Sequence, residues 1–105
     1  MRKLMGAGLC AAALLGVANA GSPAISTRWG RTQLSQDACL DNAERAIRAA
    51  GFTRREPTKT SRYGSKGDFV IVIRCLTDLG MYFMASAGPD QRHTDANVDA
   101  VDKGF

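Results

Sequence analysis

Two cysteines, Cys39 and Cys75, are the feature of this sequence that most restricts its possible folds. The third, Cys10, lies in an N-terminal segment with the pattern of a cleaved signal peptide, so an even pair remains after export. In an oxidising compartment an even number of cysteines favours a disulfide. In the chain-entropy model a bridge across this loop contributes about 3–4 kcal/mol, a large share of a small domain's stability.

The N-terminal segment has all three parts of a secretory signal. Arg2 and Lys3 are its positive start, residues 4–17 are uncharged and apolar, and Ala18-Asn19-Ala20 is a small-x-small cleavage site. The apolar run is shorter than a membrane-spanning helix requires. We therefore predict a cleaved signal peptide at 1–20, a single small domain at 21–105, no stable membrane anchor, and a periplasmic or secreted location.

The charge of the chain gives little support to a nucleic-acid partner. The formal net charge is +4, and Arg2 and Lys3 in the predicted leader supply two of those charges. A weakly basic exported domain lacks the strong positive field that binds phosphate backbones. We expect no nucleic-acid partner.

Hydrophobic periodicity predicts a strand, a helix, three strands and a second helix. Alternation predicts strands at 67–76 and 81–88, and a first strand at 25–33. Ser35 and Gly51 are typical of the two ends of a helix over 34–52. The remaining predictions are an edge strand or loop at 52–62, a turn region at 61–68 and a helix at 90–102. This order predicts an α+β fold of two layers, with an antiparallel sheet of three to four strands and both helices on one face.

The same pattern gives the cysteines a structural role. Cys39 falls on the apolar face of the first helix, and Cys75 shares a strand face with Ile71 and Ile73. If that face meets the helix, the two thiols approach each other from opposite layers. The alternatives are zinc, thioredoxin-like redox chemistry and a nucleophilic thiol, but the chain has no C-x-x-C and a single histidine, His93. We predict no catalytic residues, no metal and no cofactor, and do not expect an enzyme.

The reverse face of the sheet is the candidate interaction face. The predicted alternation places Val70, Val72, Tyr82 and Met84 there, with Arg74 beside them. Such an apolar patch is typical of a partner surface or dimer interface. The alternative is that the N-terminal segment, Trp29 or the second helix covers it.

Three runs carry a resemblance to a family. CLDNAERAIRAAGF, GDFVIVIRC and MASAGPD, within residues 25–103, resemble small uncharacterised periplasmic proteins of proteobacteria. In those proteins an exported chain has a helix with an early cysteine and a second cysteine closing a central strand. The resemblance implies the same fold and cysteine pair and implies no particular activity.

The functional expectation is a non-enzymatic interaction module outside the cytoplasm. Its partner would be an envelope or extracellular protein, or a second copy bound through the sheet face. The alternative is an inhibitor of an envelope enzyme that uses residues 57–66, part of the basic segment 54–66, as an exposed loop. An enzyme or a redox sensor is a more distant alternative.

Overall fold

The computed structural model describes residues 22–105, so the predicted signal peptide lies outside the described part of the chain. This part forms five strands, two α-helices and a short 3-10 helix. In chain order they are β1 (Ala24–Arg31), α1 (Gln36–Ala49), β2 (Thr53–Arg54), β3 (Ser61–Lys66), β4 (Phe69–Leu76), the 3-10 helix (Thr77–Leu79), β5 (Met81–Gly88) and α2 (Gln91–Gly104).

The strands form one antiparallel sheet in the order β1-β5-β4-β3-β2. Helix α1 packs on β3 and β4, and α2 packs on β1 and β5. Both helices share a core with Ile71, Ile73 and Met84, so they lie on the same face of the sheet. The predicted α+β class and two-layer arrangement are confirmed.

The predicted number of strands was too low. The sheet has five strands because residues 61–66, which the sequence assigned to a turn region, form β3 and pair with β4 along their whole length. The run SRYGSK has little apolar character of its own, and its order comes from that pairing. A Cβ at Gly64 would lie 2.5 Å from Ile47 Cγ2, so glycine lets α1 pack directly on the strand.

The turn between β3 and β4 is two residues long. Lys66 pairs with Phe69 across it, and Gly67 has a φ of 57°. A positive φ at the first turn position is typical of a type II′ hairpin, which suits the twist of the flanking strands. The Gly-Asp dipeptide therefore marks a hairpin rather than a loose turn region.

Helix α1 begins and ends as predicted. The Ser35 hydroxyl accepts a hydrogen bond from the Ala38 amide at 3.2 Å, and Gly51 follows the helix with a φ of 89°. Its buried side chains are small or aliphatic: Cys39, Leu40, Ala43, Ala46 and Ile47. Small side chains at this spacing allow the helix to lie close to the sheet.

Helix α2 forms at the position that the sequence predicted. The Asp90 side chain caps it by accepting from the His93 amide at 2.8 Å. Its buried residues are Thr94, Asn97, Val98 and Val101. Two polar groups therefore enter the core, and the Nδ2 of Asn97 has no hydrogen-bond partner among the described residues.

The predicted disulfide is confirmed. Cys39 and Cys75 are bonded, with their Cα atoms 6.1 Å apart and a separation of 36 residues in sequence. Both are buried, and Leu40 completes the cluster around them. The bridge ties the start of α1 to the end of β4, the central strand of the sheet.

Candidate interaction surface

The alternation of β4 divides its side chains between two environments. Ile71, Ile73 and Cys75 are buried beneath the helices. Val70, Val72 and Arg74 point to the opposite side of the sheet, where 51% of Val70 is exposed. The structure therefore places Val70 and Val72 on the reverse face, as the sequence predicted.

The two β5 residues of the predicted face, Tyr82 and Met84, lie on the helix side of the sheet instead. Met84 lies opposite Ile73 and Tyr82 lies opposite Cys75, and directly opposed residues in an antiparallel pair share a face. Met84 is fully buried in the core, and the Tyr82 hydroxyl donates to Asp102 Oδ1 at 2.9 Å. The prediction that these two residues line the reverse face was wrong.

Tyr82 and Met84 lie on the helix side because of the register between β4 and β5. Leu76 pairs with Met81, so four residues lie between the paired positions. This register pairs odd-numbered residues of β4 with even-numbered residues of β5. A shift of one residue would reverse the two faces of β5, and local alternation cannot distinguish the alternatives.

The surface without helices is here called the open face. Its members are the side chains that alternate away from the helices on all five strands: Ile25, Thr27, Trp29, Arg31, Thr53, Ser61, Tyr63, Ser65, Val70, Val72, Arg74, Leu76, Met81, Phe83, Ala85 and Ala87. Ile25 is 60% exposed and Trp29 is 59% exposed. Within residues 22–105, no helix packs on this face.

Three aromatic side chains and one guanidinium group lie close together on the open face. In the registers of β1–β5 and β4–β5, Trp29 lies opposite Phe83, and Phe83 lies opposite Arg74. Tyr63 lies opposite Val72, one diagonal step from Arg74. Neighbouring strands are about 4.8 Å apart, so these side chains form one continuous patch.

The contribution of β1 to this patch was not predicted from the sequence, where Trp29 was considered only as a cover for the sheet. In the predicted first strand, Ile25, Thr27, Trp29 and Arg31 alternate with Ser26, Arg28 and Gly30. The sequence signal was that alternate residues of this strand share one face of the sheet, and that the last of them, Arg31, is charged. Such a strand fits one polar or partner-facing surface better than a core.

The charges of the open face are unbalanced. It contains Arg31 and Arg74 and no carboxylate. Within the described part of the chain neither guanidinium forms an ion pair. Arg55 stands at the rim, beside Glu56, where the loop between β2 and β3 rises above the sheet.

That loop turns part of the open face into a concavity of about 930 Å³. Arg55, Glu56 and Thr58 line one side, while Tyr63, Val70 and Val72 form the floor, with others from β1 and β5. The Arg55 amide donates to the Tyr63 carbonyl at 2.9 Å, and the Thr58 amide donates to the Ser61 carbonyl at 3.1 Å. The loop is therefore held in place by its own backbone.

The basic segment is mostly turned away from this surface. Arg54 donates to Glu44 at 2.7 Å, Arg62 lies 3.8 Å from the same carboxylate, and Lys66 donates to the Ala50 carbonyl at 3.0 Å. The hydrogen bond from Arg54 holds the pKa of Glu44 below its usual value. Since 61–66 is a strand, only residues 57–60 remain of the loop proposed for an inhibitor.

The charged groups between α2 and the sheet are likewise paired within the fold. Arg28 pairs with Asp99 and, at 3.2 Å, with Asp102, and Asp102 also accepts from Tyr82. Burial, and then this hydrogen bond, raise the pKa of Tyr82. The network fastens α2 to β1 and β5.

The other candidate groups lie apart from the open face. His93 is exposed on α2, and its Nδ1 lies 2.7 Å from the Asp90 carboxylate that caps the helix. The two cysteines are bonded and buried, so neither presents a thiol to solvent. Across residues 22–105 no three metal-ligating side chains come together.

Comparison with known proteins adds no family. No protein-family model matches the chain, and no curated protein matches it. Neither α1 nor α2 is long and apolar enough to span a membrane.

Proposed function

We propose that the protein is an exported, non-enzymatic interaction module whose open face binds an envelope or extracellular protein. The observation that carries the proposal is the composition of that face. Trp29, Tyr63 and Phe83 are grouped with Arg74, and the face has no lysine or carboxylate. Tryptophan, tyrosine and arginine dominate the energetic centres of protein interfaces, whereas lysine and acidic residues are depleted there.

The charges suggest the chemistry of the partner surface. Arg31 and Arg74 lack acidic partners within residues 22–105, so an apolar partner would leave two guanidinium groups desolvated and unpaired. Carboxylates can bind guanidinium groups through two parallel hydrogen bonds. We therefore expect a partner that presents apolar side chains with one or more Asp or Glu residues beside them.

Two features support the exported location. Residues 1–20 have the pattern of a cleaved secretory signal, and the only two cysteines that follow are joined in a disulfide. A small domain gains most from such a bridge where the compartment keeps it oxidised.

Site-specific photo-crosslinking in intact cells tests the proposal. A benzophenone amino acid replaces Val72 at the centre of the open face, and Ala96, exposed on α2, in the matched control. We expect one discrete adduct of higher mass from position 72 and none from position 96. Adding Arg74→Glu should abolish the adduct, because it places a negative charge opposite the acidic partner.

The same experiment can contradict the proposal. Each variant must first keep the thermal midpoint of the unmodified protein within a few degrees, which shows that the core is intact. Equal adducts from both positions, no adduct from position 72, or an adduct that Arg74→Glu leaves unchanged would each overturn the proposed role of the open face.

A further inference from the structure

The outer edge of β1 is the longest unpaired strand edge in residues 22–105. Strand β1 has eight residues and pairs with β5 on one side only. The opposite edge of the sheet, β2, has two residues and runs into a loop that contains Pro57. Proteins commonly protect sheet edges by short strands and proline, and β1 uses neither device.

The directions of the β1 backbone groups follow from two hydrogen bonds. The Thr32 amide donates to the Gly80 carbonyl of the β5 side at 2.9 Å. Since the amide and carbonyl of a strand residue point the same way and successive residues alternate, even-numbered residues of β1 face β5. Odd-numbered residues face outward, and Gln91 Nε2 accordingly reaches the Ile25 carbonyl at 3.1 Å.

Antiparallel pairing with a second copy has one register that suits the side chains. With Thr27 opposite Thr27 of the second copy, residues 25, 27 and 29 meet as hydrogen-bonded pairs, and the Trp29 amide of the second copy replaces Gln91 Nε2 as the donor to the Ile25 carbonyl. Ile25 then lies opposite Trp29 of the second copy, which brings together the two most exposed apolar side chains of the sheet. Pro23 would lie opposite Arg31 of the second copy, where its missing N–H ends the ladder.

Charge favours this register over its neighbour. On the helix side it places Ser26 opposite Arg28 of the second copy, and no two like charges face each other directly. A register centred on Arg28 would oppose two guanidinium groups and would pair Ile25 with Arg31 instead of Trp29. Each Arg28 is also neutralised within its own copy by Asp99 and Asp102.

We propose that two copies of the protein pair through β1, antiparallel about Thr27, so that two five-stranded sheets become one ten-stranded sheet. The pairing is isologous, as closed dimers require. The twofold axis runs perpendicular to the sheet, so both open faces lie on the same side and form one surface. This dimer uses the strand edge and the side chains of Ile25 and Trp29, and it leaves Val72 and Arg74 on the open face exposed for the proposed partner.

Cysteine crosslinking tests the register. In a hydrogen-bonded antiparallel pair the opposed Cα atoms are about 5.5 Å apart, which suits a disulfide. Thr27→Cys in the full chain, purified after export, should form a disulfide-linked dimer under mild oxidation. Arg31→Cys is the matched control and should stay monomeric on a non-reducing gel, because its position opposes Pro23. Equal crosslinking of both variants, or none by Thr27→Cys, would overturn the register.

Sedimentation of the unmodified protein against Thr27→Pro tests the pairing itself. The Thr27 amide points outward, so proline there removes two hydrogen bonds of the dimer, one donated by each copy, and none of the monomer. We expect the dimer dissociation constant to rise by more than about tenfold. Thr27→Val, which keeps the amide, should leave it nearly unchanged. A protein that is monomeric at all concentrations, or a dimer unaffected by Thr27→Pro, would refute the proposal.

Discussion

The two faces of the sheet are built from the same strands and differ in how their groups are satisfied. On the helix side Ile73 and Met84 are fully buried, and Arg28 and Arg54 each bond to a carboxylate. On the open face Trp29 and Val70 remain more than half exposed. On the helix side, the protein's own helices bury the apolar side chains and its own carboxylates pair with the arginines. On the open face, apolar area and charged groups remain exposed to solvent.

The contrast shows that the exposed apolar side chains of the sheet are grouped on one surface, the open face. Scattered exposed hydrophobic residues are normal on proteins, but a continuous patch with unpaired charges indicates a binding surface. Alternation alone puts adjacent residues of one strand into these two environments. Pairs of substitutions at neighbouring positions therefore measure the difference directly.

The largest expected effect is on the core beneath the helices. Ile73→Ala should lower the free energy of unfolding by about 2–5 kcal/mol, because it leaves a cavity in a fully buried site. Val70→Ala, three positions away and half exposed, should cost less than about 1 kcal/mol. Urea denaturation of both variants measures the difference. Similar losses would mean that the open face is also covered.

A smaller effect is expected at the one buried side-chain nitrogen or oxygen atom that lacks a hydrogen bond in residues 22–105, the Nδ2 of Asn97. Asn97→Leu has a similar branched shape and removes the desolvated amide, so it should raise the free energy of unfolding by about 1 kcal/mol. Asn97→Ala serves as the control, because it removes the amide but leaves a void. A clear loss of stability in Asn97→Leu would show that the amide has a partner in solution.

The smallest effect is a pH dependence on the helix side. The pKa of Glu44 is lowered chiefly by its hydrogen bond from Arg54, so its contribution is present above the unfolded pKa and is lost as pH falls through the folded pKa. The difference in stability between wild type and Glu44→Gln should therefore shrink as pH falls from about 5 toward 3. Denaturation at several pH values measures it.

The matched variant for this pair is Arg54→Met. It removes the cation that lowers the pKa of Glu44, so most of the pH-dependent difference should disappear in its background. A difference that persists without Arg54 would assign the effect to Arg48 or Arg62, which also lie near Glu44.

The elements that the sequence predicted well have strong local signals. Helix α1 has a Ser35 cap, a spaced apolar face and Gly51 at its end. Strand β4 has an unbroken alternation that ends at Cys75. The elements that it missed lack such signals: β3 is polar, and it becomes a strand because β4 pairs with it and α1 packs on Gly64.

The sequence by itself determined the α+β class, the two helices, the central strand and the one pair of cysteines that follows residue 20. Those features depend on helix caps, hydrophobic periodicity and the number of cysteines. Caps and periodicity involve residues that are close in sequence, and cysteines can be counted without a structure. Only the tertiary structure decided that Tyr82 and Met84 face the helices, and that Trp29, Tyr63 and Phe83 join Arg74 on the open face. The physical reason is register: a shift of one residue reverses every side chain of a strand, and contacts distant in sequence select it.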